Sequence, residues 1–413
     1  MAFPVVVSPM SLEERRNSLG LDGAQGTGKL GGTPILATNK LSGTAAWINA
    51  AKGQASRWSD HVDRFSEHIV DVFINPKFKI SQNDSVFCIG SCFARNIEEH
   101  LIYVGLDVLS RRIVSPSHEW PHRINGFINK FTTHSMRNEL EWVVSPKDIT
   151  ETMFEERQGG WVDLQLAPMT VPVSLPRAIE RRAYLTGEYF NRLRQASIII
   201  ITLGLNEVWF DNEMSIYLNA PPSFFSARRD PGRYELCITD VDDNVSQLNA
   251  IRELIHTLNP DAKMVVTVSP VPMSETFSGQ DVILANMISK STLRAAADAF
   301  VRVHADVDYF PSYDIITMSP RQYAYTRDCL HVSDAIVGQM MRTFTNLYLD
   351  YEASPVVFNE LAYLAANPDV EAAVRQARFS SGFEHWTLVG SAEGRPRYPQ
   401  DGPTSLMITH GAA

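Results

Sequence analysis

Three short runs constrain this chain more than any other feature: "SVFCIG" (85–90), "SIIIITLG" (197–204) and "KMVVTVSPVP" (263–272). They are too continuously apolar and β-branched to present one face to water, so they read as strands buried on both sides. Between and after them come segments with apolar residues at helical spacing: "CFARNIEEHLIYVG" (92–105), "PRAIERRAYLTGEYFNRLRQA" (176–196), "VSQLNAIRELIHTLNP" (245–260), "LANMISKSTLRAAADAFVRVHA" (284–305) and "AIVGQMMRTFTNLYLDY" (335–351). Two shorter strands are expected at "LDVLS" (106–110) and "VDYFPSYDII" (307–316). Strands alternating with helices build a parallel sheet covered by helices on both faces. The expected fold is therefore α/β, a three-layer α/β/α sandwich of flavodoxin-like type with about five mostly parallel strands, over residues 81–351.

Flanking segments differ in character. Residues 1–80 read as an N-terminal arm and loop segment, with a Gly/Thr-rich stretch "LDGAQGTGKLGGTP" (21–34) and a helix expected over "SRWSDHVDRFSEHIVDVF" (56–73). The stretch "GAQGTGKLGG" lacks both the four-residue gap of a phosphate-cradling loop and a strand ahead of it, so it reads as a surface loop. Residues 355–400 read as a small helical module, with Asn367-Pro368 starting one helix and Gly390 and Gly394 available to end another.

Composition excludes several function classes. A net charge of -10 without a basic run argues against nucleic-acid partners, which require clustered Lys and Arg. Nothing approaches 18 unbroken apolar residues, and no charged region precedes the short apolar patch near the N-terminus, so no membrane span or signal peptide is expected. Cys88, Cys92, Cys237 and Cys329 form neither a disulfide framework nor a zinc pattern, and a reduced, cytoplasmic protein without metal or cofactor is the expectation.

In such a sandwich the informative polar residues follow the strands. Ser91 sits on the turn from the first buried strand into a helix, where unpaired N–H groups carry partial positive charge and where serine also serves as a plain N-cap. Gly204 and Asn206 of "GLNEVW" follow the second buried strand, and Asp328 and His331 stand three apart in "RDCLHVSD". Acyl transfer by serine requires a nucleophile, a base, a group that orients the base, and oxyanion donors. Ser91, His331 and Asp328 supply the first three, and the Ser91 N–H with Asn206 the last. Cys92 with His331 is the rival dyad, although Cys92 reads as a small core residue at the helix start. His100, His256 and His304 fall on helices, whereas His118, His122 and His134 lie in an irregular region from 110 to 135.

These residues resemble a known family. "GSCFA" (90–94) is the motif of the GSCFA domain family, itself similar to the SGNH (GDSL-like) hydrolases. "ITLGLNEVW", "VTVSPVPMSETFSGQDVILANMISKSTLRAA" and "YFPSYDIITMSPRQYAYTRDCLHVSDAIV" extend the resemblance over about residues 74–345. It implies a serine-dependent esterase or O-acyltransferase, with Ser91 in the first block, Gly204/Asn206 in the third and Asp328/His331 in the last. The second block, a glycine with its N–H on the oxyanion, has Gly126 in "RINGFINKF" as nearest counterpart, and Glu207 stands where many such hydrolases carry Asp. The tail, with "YLAANPDV" (363–370), "GFEHW" (382–386) and "AEGR" (392–395), resembles short modules attached to bacterial surface-polysaccharide and secreted proteins, which implies a bacterial setting with carbohydrate nearby; the expected substrate is an acylated glycan or small molecule. A glycan-binding or assembly protein that keeps the fold without turnover is the alternative.

Overall fold

The computed structural model describes residues 40–52, 56–58, 64–65, 68–351 and 358–396; the Gly/Thr-rich stretch 21–34 lies outside them. The central sheet contains β1 (Ser85–Gly90), β2 (Asp107–Val108), β3 (Ile198–Leu203), β4 (Lys263–Val268) and β5 (Val307–Tyr309). Its order is β2-β1-β3-β4-β5 and every pair is parallel. The expected five-stranded parallel architecture is thus the observed one. All six residues of β3 are buried, because helices close both faces.

Four helices matter most: α1 (Cys92–Tyr103), α2 (Val241–Leu258), α3 (Val282–Val303) and α4 (Asp334–Tyr348). Right-handed crossovers from β1 to β2 and from β3 to β4 run in opposite directions along the sheet, so α1 and α2 cover opposite faces. Accordingly α1 packs with α4, and α2 packs with α3. One apolar cluster runs from Phe87, Ile200 and Val265 of the sheet to Leu101, Ile251, Phe300 and Phe344 of the four helices.

Several elements depart from the sequence reading. The strand expected over 307–316 stops at Tyr309; Pro311 breaks it, and Ser312–Met318 is a helix whose Asp314 binds Arg294 at 3.0 Å. The region taken as irregular ends in a helix, Thr133–Val144, capped by the Thr132 hydroxyl on the Ser135 N–H. An antiparallel hairpin, Phe154–Arg157 with Gly160–Asp163, and a three-stranded antiparallel sheet spanning Glu207–Ile238 are insertions that sequence reading did not find. A second apolar cluster, with Trp142, Val162 and Leu218 among its members, lies beneath them.

Of the helix expected over 56–73, Trp58 and Arg64–Phe65 are in 3₁₀ turns and residues 59–63 and 66–67 lie outside the described residues, whereas residues 68–80 contain no helix. Their backbone donors are used elsewhere: the Val70 N–H bonds to Ser319 at 2.9 Å, the Lys77 N–H to Asp308 at 2.9 Å, and the Ile80 N–H to the Tyr348 carbonyl at 2.7 Å. The tail forms three short helices, Glu360–Ala366, Pro368–Arg375 and Gly382–His385. Tyr363, Val370 and Phe383 enter the main cluster, and buried Arg111 donates to Glu360 at 3.0 Å. The Asn367 side chain does not cap; its amide donates to the Tyr363 carbonyl at 2.8 Å, although Pro368 does occupy the first turn.

One contact in the sheet is steric. Gly90 has φ +150°, and a Cβ there would lie 2.4 Å from the Thr202 carbonyl oxygen of β3. Gly90→Ala is expected to destabilise the fold by about 3 kcal/mol. An unchanged urea midpoint for that variant would contradict the packing described.

Candidate active site

A sheet of order 2-1-3-4-5 has its topological switch point between β1 and β3, and sites gather there at the carboxyl ends. Ser91 directly follows β1 at this point. It caps α1, its hydroxyl accepts the Phe93 N–H at 3.3 Å, and 3% of its surface is exposed. Its own N–H continues the ladder to the Thr202 carbonyl at 3.3 Å. That N–H, expected to face an oxyanion, is therefore committed to the sheet.

The same ladder aims another donor. Thr202 faces β1, while the Leu203 carbonyl faces β4 and accepts the Ser269 N–H at 2.8 Å. By that alternation the Gly204 N–H falls on the β1 side, beside Ser91, and no described group accepts it. The following peptide, Gly204–Leu205, is clamped. Its carbonyl accepts Lys290 Nζ at 2.8 Å, and the next N–H, of Leu205, donates to the Phe131 carbonyl at 2.7 Å. A Cβ on Gly204 would stand 2.8 Å from that same Phe131 oxygen.

Residues 129–131 therefore bridge the cleft, since the Lys130 N–H also donates to the Gly90 carbonyl at 2.8 Å. Asn129 is buried here, with its Oδ1 unpartnered. Sequence reading singled out neither Asn129 nor Lys290. The signal for Lys290 was a lysine on the apolar face of "LANMISKSTLRAA", where a charge has no reason to be.

Two expected oxyanion donors are otherwise occupied. Asn206 is buried, and its amide donates to the Thr239 carbonyl at 3.2 Å while its backbone N–H donates to Ser289 Oγ at 3.0 Å. The Gly126 N–H donates to the Arg123 carbonyl at 2.8 Å, and the glycine is required by the Trp120 ring, 3.0 Å from where its Cβ would be. Gly126 thus belongs to a packed turn. Glu207 likewise serves structure, accepting the Phe277 N–H at 2.9 Å.

Asp328 and His331 meet in a tight loop. His331 Nδ1 lies 2.6 Å from Asp328 Oδ2, which leaves Nε2 outward. Asp328 Oδ1 accepts the Thr326 hydroxyl at 2.5 Å and the Leu330 and His331 N–H groups at 3.0 Å each. Partial burial would raise the Asp328 pKa, but these bonds, led by that of His331, hold it well below the usual carboxylate range. The loop is tied to the carboxyl end of β4 through Tyr325, whose hydroxyl donates to the Pro270 carbonyl at 3.1 Å. Ser91 and Gly204 thus follow the carboxyl ends of β1 and β3, and the loop that carries His331 is anchored at that of β4. No hydrogen bond joins His331 to Ser91 in this structure.

The rival nucleophile is disfavoured, because burial pushes the Cys92 thiol up against the opposing influence of Arg123 and Lys290. Among the irregular-region histidines, His134 is buried, with Nε2 3.1 Å from Asp243, and burial lowers its pKa; His118 is exposed. His122 packs edge-on against Trp120. Among the described residues no three His, Cys, Asp or Glu side chains cluster as metal ligands, and no helix is long and apolar enough to cross a membrane.

A sequence profile of the GSCFA family matches residues 85–344, which include Ser91, Gly204, Asp328 and His331. No curated protein is similar enough to match. Among solved structures, a Clostridium thermocellum family 3 carbohydrate esterase is similar at 9% identity, over 65% of this chain and 94% of that chain, with a TM-score of 0.27.

The thiol environments make a direct prediction. Iodoacetamide on the native protein at about pH 7.5 should modify exposed Cys329 and spare Cys88 and Cys92, whose thiols burial raises. Equal labelling of Cys92 would contradict the environment assigned to it.

Proposed function

The chain belongs to the GSCFA family, and from that premise we propose that it is a serine-dependent esterase or O-acyltransferase acting through Ser91, His331 and Asp328. One observation supports the reading most: Asp328 and His331 pair at 2.6 Å in a loop anchored at the carboxyl end of the sheet, the end at which Ser91 caps α1. In the reaction the Ser91 oxygen bonds to the acyl carbon, the carbonyl electron pair moves onto oxygen, and the Ser91 proton passes to His331 Nε2. Collapse breaks the bond to the leaving alkoxide, which takes that proton. Water as the second acceptor makes an esterase, and a sugar hydroxyl makes a transferase. Asp328 holds the imidazole and stabilises its charged form. The Gly204 N–H is the leading oxyanion donor, with a reoriented Asn206 amide beside it.

The proposed substrate is an acylated carbohydrate such as a bacterial surface polysaccharide. The likeness of the tail at 358–396 to modules of polysaccharide-associated proteins supports it. The alternative is a glycan-binding or assembly protein without turnover. It is favoured by the Ser91 hydroxyl accepting only the Phe93 N–H, as an ordinary cap does.

A fluorophosphonate is expected to modify Ser91, and Ser91→Ala should take no label. Asp328→Asn should keep the fold and reduce ester turnover by about 10³-fold or more. A folded wild type that binds glycan but neither labels nor cleaves esters would favour the alternative.

A further inference from the structure

Six Lys or Arg side chains are more than nine-tenths buried among the described residues: Arg95, Arg111, Lys130, Arg181, Arg182 and Lys290. Five have a carboxylate partner, namely Glu98, Glu360, Glu139, Glu119 and the Glu139/Asp163 pair respectively. Lys290 has none. Only 1% of it is exposed, and the bond to the Gly204 carbonyl is the one hydrogen bond its ammonium group makes among the described residues. Burying a cation without a counter-charge is unfavourable, so such a group is kept where something else uses it.

Its surroundings indicate what that is. Lys290 reaches from α3 to the one residue of the β3 end whose N–H is aimed beside Ser91 and left without an acceptor. Its neighbour Ser289 accepts the Asn206 N–H, so two consecutive α3 residues fix the 204–206 loop. We propose that Lys290 is a positioning residue for acyl transfer: it holds the Gly204–Leu205 peptide that follows the Gly204 N–H, and supplies a positive charge beside the site that the developing oxyanion neutralises. The inference rests on the reading of Ser91 as nucleophile. Lys290 neither gives nor takes a proton in the step. Because the balancing negative charge exists only once the carbonyl pair has moved to oxygen, the stabilisation is specific to the transition state.

Burial pushes the Lys290 pKa down to about 7, with Cys92 acting weakly upward. The charged groups on the packed elements are engaged elsewhere: Arg294 with Asp314 and Asp298, Arg252 with Asp306, and Glu207 with Thr276 and the Phe277 N–H. The protonated, effective form therefore prevails below about pH 7 and is lost as pH rises through that value.

The test begins with fluorophosphonate labelling of wild type, where failure to modify Ser91 would overturn the nucleophile reading itself. With Ser91 labelled, p-nitrophenyl acetate kinetics of wild type, Lys290→Met and Lys290→Gln are compared from about pH 5.5 to 9. Both variants should lose about 100-fold in kcat with KM within about twofold, and should lack the wild-type fall above neutral pH. Unchanged kcat and pH profile would overturn the role, as would a loss confined to KM. Should the variants fail to fold, NMR of wild type carrying ¹³Cε-lysine decides. One lysine should titrate near pH 7 and move upward once Ser91 carries an anionic phosphonate; no movement would overturn the proposal.

Discussion

The close approach of β1 to β3 at their carboxyl ends is the constraint on which the rest of the site depends. Gly90 lies against the Thr202 carbonyl and Gly204 against the Phe131 carbonyl, at separations that leave no room for a Cβ. With that approach in place, Ser91 falls at the start of α1 directly beside the β3 end, and the ladder directs the Gly204 N–H toward it. The crossing segment 129–131 then closes the cleft by bonding to both strands. Backbone geometry, more than any side chain, builds the candidate oxyanion site.

Charge is distributed to match. A buried ion-pair network, Lys130–Glu139–Arg182–Asp163, ties the crossing segment and the Thr133–Val144 helix to the helix Leu175–Tyr184 and the hairpin. Arg111–Glu360 does the same for the tail. Each of these networks is internally neutralised, as buried charges must be to persist. Lys290 stands outside them, next to the site.

The sandwich was legible because its three long strands are continuously apolar and its helices are strongly periodic, as in "SIIIITLG" and "IRELIHTL". Ser91 and Gly204 were singled out because they follow strands, and Asp328 and His331 by their spacing of three. What sequence could not give were hydrogen-bond destinations: the Ser91 N–H goes to Thr202, the Asn206 amide to Thr239 and the Gly126 N–H to Arg123, each decided by tertiary contacts. The antiparallel strands after Glu207 escaped notice because "EVWFD" and "YELCI" are short and flanked by charge. Beyond Phe65 the backbone turns to partners distant in sequence, the Val70 N–H to Ser319 and the Lys77 N–H to Asp308.

The crystal structure of the protein after reaction with a fluorophosphonate tests the central claim most directly. The account predicts phosphorus bonded to Ser91 Oγ, a phosphoryl oxygen about 3 Å from the Gly204 N–H nitrogen, and the His331 imidazole turned toward the adduct. Phosphorus on another residue, or a phosphoryl oxygen turned away from Gly204, would contradict it.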